Sequence, residues 1–143
     1  MDIRLSQGTR YAIQALEFMA AEQNGGWVDA HRISEELGLP RLYLAKIFTH
    51  LSQAGIVDSH KGRGGGFRLA KDWKTVSLGR VVIACEKFEM QRVCMLDGRR
   101  CTKKVKPCRV HPLWLRIHAE IRDLLHRTTL ENILQKGGVG IHG

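Results

Sequence analysis

Lys61-Gly62-Arg63-Gly64-Gly65-Gly66-Phe67-Arg68-Leu69-Ala70 decides how this chain folds. Short runs with apolar positions, Ile56 to His60 and Phe67 to Ala70, flank a glycine-rich turn, which predicts a β-hairpin. Gly62, Gly64, Gly65 and Gly66 let the backbone approach a phosphate chain or a narrow groove, and Lys61 and Arg63 bring positive charge to the same place. A nucleotide-cradling loop is a weaker reading than a plain flexible hairpin, because no Lys-Ser or Lys-Thr follows the glycines and no helix opens directly after them.

Upstream, Leu44, Ile47, Phe48 and Leu51 recur at helical spacing between Pro40, suited to a first turn, and Gly55. The opposite face offers Arg41, Tyr43, Lys46 and His50. Before this helix lies a shorter one, capped by Asp29, carrying Ile33 and Leu37 inward and stopping at Gly38. Two short helices around a glycine turn, the second bearing Arg, Tyr and Lys, predict a helix-turn-helix. A first helix runs from a Ser6 cap to about Glu22, and Trp27-Val28 predicts a short strand.

Downstream, a helix from about Ser77 to Lys87 aligns Leu78, Val81, Val82 and Cys85, so Cys85 reads as a small buried hydrophobe. Then come Cys94, Cys101, Cys108 and His111, spaced C-x6-C-x6-C-x2-H. Three thiolates and an imidazole form a four-ligand set for a soft metal centre, a structural zinc among the candidates; a metal-free thiol switch is the rival. Arg92, Arg99, Arg100, Lys103, Lys104, Lys106 and Arg109 surround the set against a single acid, Asp97, which lowers thiol pKa values and offsets thiolate charge. A helix from about Pro112 to Arg127 spaces Trp114, Ile117, Ile121 and Leu124 as a 3-4-3 seam, which predicts packing along a second copy in a homodimer. Packing against the first helix is the intramolecular alternative. Thr128 or Thr129 caps a short final helix, and 137–143 reads as a flexible tail.

The fold class expected is mainly α with one small β-hairpin: a winged helix-turn-helix domain over 1–75, then dimerisation helices and the cysteine loop (about 88–111) over 76–136. A length of 143 residues with 43% apolar content suffices for one compact core. No apolar stretch is long enough to span a membrane, and the polar start resembles no secretory signal, so the expected location is cytoplasmic. Cysteines there are more often ligands or free thiols than disulfides. A net charge of +9 points to a polyanion, with double-stranded DNA the leading partner. Scattered histidines and no paired carboxylates argue against an enzyme, and no small-molecule substrate is expected. An iron–sulfur carrier or electron-transfer protein, its basic charge serving to dock acidic partners, is the competing function of another class.

From Arg4-Leu5-Ser6 to Leu134, and most sharply in Lys61–Ala70, Tyr43-Leu44 and the cysteine triplet, the sequence resembles the Rrf-two family of bacterial winged-helix regulators. The resemblance implies a dimer with helix 40–53 in the major groove and the hairpin in the adjacent minor groove. Arg41, Tyr43 and Lys46 would then face bases and phosphates, and Lys61 and Arg63 the minor groove. It also implies an iron–sulfur cluster on Cys94, Cys101 and Cys108. Cys108-x2-His111 is similar to the iron–sulfur-assembly branch, with His111 as fourth ligand. Some relatives instead use an acid on the partner's first helix, where Arg10 stands here and cannot ligate. This favours 2Fe–2S over 4Fe–4S. Ala45 replaces an acid of that branch, Lys61 stands where relatives often have Arg, and the cysteine gaps are one residue longer than in that branch.

Overall fold

The computed structural model describes residues 4–22, 25–86, 94–96, 98–99 and 108–134. The expected tail at 137–143, Lys87, Cys101 and most of the cysteine loop lie outside the described residues. In chain order the elements are α1 (Gln7–Ala21), α2 (Ala30–Leu37), α3 (Arg41–Gln53), β1 (Val57–His60), β2 (Gly66–Leu69), a 3-10 turn (Trp73–Thr75), α4 (Leu78–Glu86), α5 (His111–Arg127) and α6 (Leu130–Leu134). This is the mainly helical architecture with one antiparallel hairpin that the spacing predicts.

Local chemistry sets the helix ends. Ser6 Oγ accepts from the Thr9 amide at 3.2 Å, and Asp29 Oδ1 accepts from the His31 amide at 2.6 Å, each satisfying an N–H that has no partner within its helix. Gly38 ends α2 at φ +63°, a conformation that only glycine adopts at no steric cost, and the Leu39 amide then donates to the Ser34 carbonyl. Pro40 sits one residue earlier than its expected first-turn place: it is the cap residue, and α3 begins at Arg41.

One core holds these elements together. Leu16, Ile33, Leu44, Phe48, Leu51, Ile56 and Val57 are buried, and Val76, Val81 and Leu130 join the same cluster from the C-terminal part of the chain. Phe48 stacks on Phe67 of β2 with ring centroids 4.2 Å apart, so α3 and the hairpin share a single aromatic contact. Each such side chain contributes about 1.5–3 kcal/mol on burial. Arg80 of α4 donates to the Ala54 carbonyl at 2.7 Å, which fixes the C-terminal end of α3 with a cation where the helix dipole favours one.

Two connections carry no local signature. Ser77 bridges Thr129, with the Leu78 amide donating to Thr128 O (2.7 Å) and the Leu130 amide to Val76 O (2.8 Å), so α6 folds back onto the start of α4. Thr129 is its cap, exchanging bonds with Asn132. The expected strand at Trp27-Val28 shrinks to one bridge, Val28 to Phe67. Gly66, φ +136°, permits that bridge: a Cβ there would fall 2.2 Å from the Val28 carbonyl oxygen.

Candidate nucleic-acid interface and cysteine loop

The hairpin pairs Val57 with Leu69, Asp58 with Arg68, Ser59 with Phe67 and His60 with Gly66. Arg68 bonds Asp58 at 3.3 Å and lies 4.4 Å over the Trp27 ring, while Trp27 also meets His60 at 5.4 Å. The base of the hairpin is therefore braced on one side by Trp27, a contact that sequence spacing does not reveal. At the tip the Gly65 amide closes on the Gly62 carbonyl at 3.1 Å, and Gly62 and Gly64 take positive φ. Lys61 and Arg63 stand exposed there, with no ion pair to either among the described residues.

On α3, Arg41 and Lys46 are exposed on the same open side. Tyr43 and His50, expected on that side too, are half-buried. The Tyr43 ring meets Tyr11 edge-on at 5.8 Å, and its hydroxyl lies 3.3 Å from where a Gly8 Cβ would be. Helical periodicity places Tyr43 on the boundary between faces, and the open space over Gly8 draws it inward.

Glu86, the last described residue before the loop, reaches the other end of α1. Its Oε1 accepts from the Ser6 amide at 2.8 Å and from the Thr9 hydroxyl at 2.7 Å. A carboxylate at a helix N-terminus is favoured by the dipole as well as by the two bonds. Beside it, Cys85 is half-buried and packs against the core, as its position on the α4 stripe predicts. Burial, and secondarily the charge of Glu86, pushes its thiol pKa up to about 11. With so little thiolate at neutral pH, Cys85 should react with iodoacetamide at least about tenfold more slowly than an ordinary exposed thiol. Mass-resolved alkylation of the native protein measures this, and rapid labelling of Cys85 would place it outside the core.

The described part of the cysteine loop is a tight turn. The Cys94 amide donates to Arg99 O at 2.7 Å, the Gly98 amide to Cys94 O at 2.9 Å, and the Leu96 amide to Cys94 Sγ at 3.4 Å. Cys108 and His111 stand together at the start of α5, where the His111 amide donates to the Cys108 carbonyl at 3.0 Å. Among the described residues, His111 Nδ1 is shielded from solvent without a hydrogen-bond partner, as are Arg10 Nε and His118 Nε2. Cys85, Cys94 and Cys108 are free thiols. Among the described residues no group of three or more His, Cys, Asp or Glu converges as a metal site, Cys101 being outside them. The donors that are described fit a thiolate-bound cluster in chemistry: two free sulfurs, one with an amide on it, and an imidazole nitrogen shielded from solvent and unsatisfied.

α5 packs along α4, and Gly79 lets it approach: a Cβ there would lie 3.3 Å from His126 Nδ1. None of its residues is buried. Leu113, Ile117 and Leu124 are 58%, 46% and 61% exposed, whereas Trp114, edge-on to His118 at 4.4 Å, and Ile121 are half-buried. Among the described residues no helix is long and apolar enough to cross a membrane.

A helix-turn-helix with a cationic second helix, followed by a basic glycine hairpin, defines a winged-helix transcription regulator that binds DNA. The chain belongs to the Rrf2 family: the family model, described as an iron-dependent transcriptional regulator, matches residues 5–136. It is 31% identical over 137 residues to the HTH-type transcriptional regulator IscR of Vibrio vulnificus, covering 96% of this chain and 80% of that one. A protein of Neisseria meningitidis serogroup A named as an HTH-type transcriptional regulator is 30% identical over 143 residues, with 96% and 92% covered. Among solved structures, T. potens IscR superimposes with a TM-score of 0.71 at 25% identity over 94% of this chain and 88% of that one. The oxidized form of Staphylococcus aureus CymR also gives 0.71 at 25%, over 93% and 97%.

Proposed function

We propose that this chain is a cytoplasmic, homodimeric regulator whose grip on its operator is set by an iron–sulfur cluster held by Cys94, Cys101, Cys108 and His111, with 2Fe–2S the favoured form. The observation that carries the reading is the unsatisfied Nδ1 of His111, shielded from solvent at the start of α5 just after the free thiol of Cys108. A buried imidazole nitrogen without a partner costs about 1–3 kcal/mol, a cost that a metal bond removes. The bound group supplies a redox- and nitric-oxide-sensitive centre whose ligation ties the loop down.

The chain's own residues carry the signal onward. Glu86 fastens the loop's entrance to the first turn of α1 through Ser6 and Thr9. That turn meets Tyr43 of α3 at Gly8 and Tyr11. Arg41 and Lys46 then contact the major groove, and Lys61 and Arg63 the minor groove. The exposed Leu113, Ile117 and Leu124 give α5 an apolar face for the partner's α5, continuing the seam of Trp114, Ile117, Ile121 and Leu124. Loop order shifts the population of one head-to-head spacing, because ligation interacts differently with the two states.

A thiol switch in the same fold is the second reading, favoured by the free cysteines and by the likeness to an oxidized CymR. Salt-dependent affinity for duplex DNA tests the DNA-facing assignment. Lys61→Ala and Arg63→Ala should each flatten the log–log slope by about 0.9, one phosphate contact apiece. An unchanged slope in both, or a flat response in the parent, would favour a carrier that uses its charge on proteins.

A further inference from the structure

The open face of α3 carries an apolar stripe as well as its cations. Leu42 is 88% exposed, the most exposed large apolar side chain among the described residues. Ala45 and Thr49 follow at i+3 and i+7, both exposed on the same side. Thr49 turns its hydroxyl back onto the Ala45 carbonyl at 2.8 Å, which leaves its methyl for the surroundings. Three consecutive positions along this side thus offer only carbon. A single exposed leucine is ordinary. A leucine in line with two further methyls, on a helix that also exposes the cations Arg41 and Lys46, is a recognition surface of mixed chemistry.

We propose that this stripe reads thymine: Leu42, with Ala45 and Thr49 beyond it, packs against the 5-methyl groups of thymines in the major groove. The proposal rests on α3 being the groove-entering helix. In that groove guanine, cytosine and adenine present hydrogen-bonding edges that Leu42 and Ala45 cannot answer, and thymine alone adds a methyl. Arg41 and Lys46 flank the stripe, with Lys61 and Arg63 on the neighbouring hairpin, so the surroundings match a polyanion better than an apolar protein partner. From Leu42 to Thr49 the helix rises about 10 Å, enough to pass about three base pairs. Leu42, nearest the helix N-terminus, makes the closest base contact, since recognition helices lead with that end.

The test selects a randomised duplex library on the full-length protein and resynthesises the winning duplex with deoxyuridine in place of thymidine. Thymine should be enriched in each half-site, and each methyl removed beneath α3 should weaken binding about fourfold, so that a fully substituted duplex loses about tenfold or more. In Leu42→Ser, whose side chain lies in solvent and leaves folding intact, the thymidine-to-uridine ratio should fall toward unity at the base that Leu42 faces. A winning duplex that binds equally well with uridine, or a ratio untouched by Leu42→Ser, overturns the thymine reading while leaving α3 in the groove. Failure to enrich any duplex overturns the assignment of α3 itself, and this inference with it.

Discussion

Phe48→Ala is expected to cost about 3–5 kcal/mol of folding stability, enough to leave the protein largely unfolded if its total lies near the low end of the usual range of about 5–15 kcal/mol. Phe48 is fully buried in the common core, and it stacks on Phe67, the residue that also bridges Val28. Truncation therefore opens a cavity in the core and removes the ring that fixes the hairpin against α3. The two effects strike opposite sides of the proposed DNA interface at once. Phe48→Leu keeps most of the volume but not the ring, and should cost less than half as much while still loosening the hairpin. Urea denaturation of both variants measures the difference. Near-parent stability of Phe48→Ala would mean that hairpin and helix are held apart from the common core.

Much of this arrangement is legible in the chain because its signals are local. Ser6, Asp29 and Gly38 mark helix ends by their own backbone and side-chain chemistry, and Leu44, Ile47, Phe48 and Leu51 mark the buried side of α3 by spacing alone. The hairpin is equally plain, since only glycine fits Gly62, Gly64 and Gly66 at positive φ. What spacing cannot show is side-chain contact between distant residues. Glu86 lies 77 residues from Thr9, yet its carboxylate holds the first turn of α1. Trp27 braces the hairpin through Arg68 and His60, and Ser77 bridges Thr129, each a pairing chosen by tertiary packing. The same holds for Tyr43, which periodicity leaves at the edge of two faces and the gap above Gly8 turns inward. At the cysteine loop the spacing proposes a ligand set, beside which the structure places an amide on Cys94 Sγ and an unpartnered nitrogen on His111.

Replacing any one of Cys94, Cys101 or Cys108 by Ala is expected to abolish the cluster and lower operator affinity about tenfold or more, within the usual range of coupling between two sites. Each thiolate supplies one of few bonds, and the loop has little apolar content with which to order itself. His111→Ala should lose the cluster more slowly, because the three thiolates remain; Cys85→Ala should retain it, because that thiol faces the core. In the proposed dimer, loss of ligation would leave Glu86 holding α1 while releasing the constraint on the spacing of the two DNA-reading heads. The direct measurement is anaerobic purification with iron, acid-labile sulfide and zinc analysis, followed by duplex titration before and after iron is chelated under reducing conditions. The account predicts a coloured protein containing iron with sulfide, whose affinity drops about tenfold or more on chelation. A colourless protein with zinc alone, or equal affinity in the two states, would contradict it.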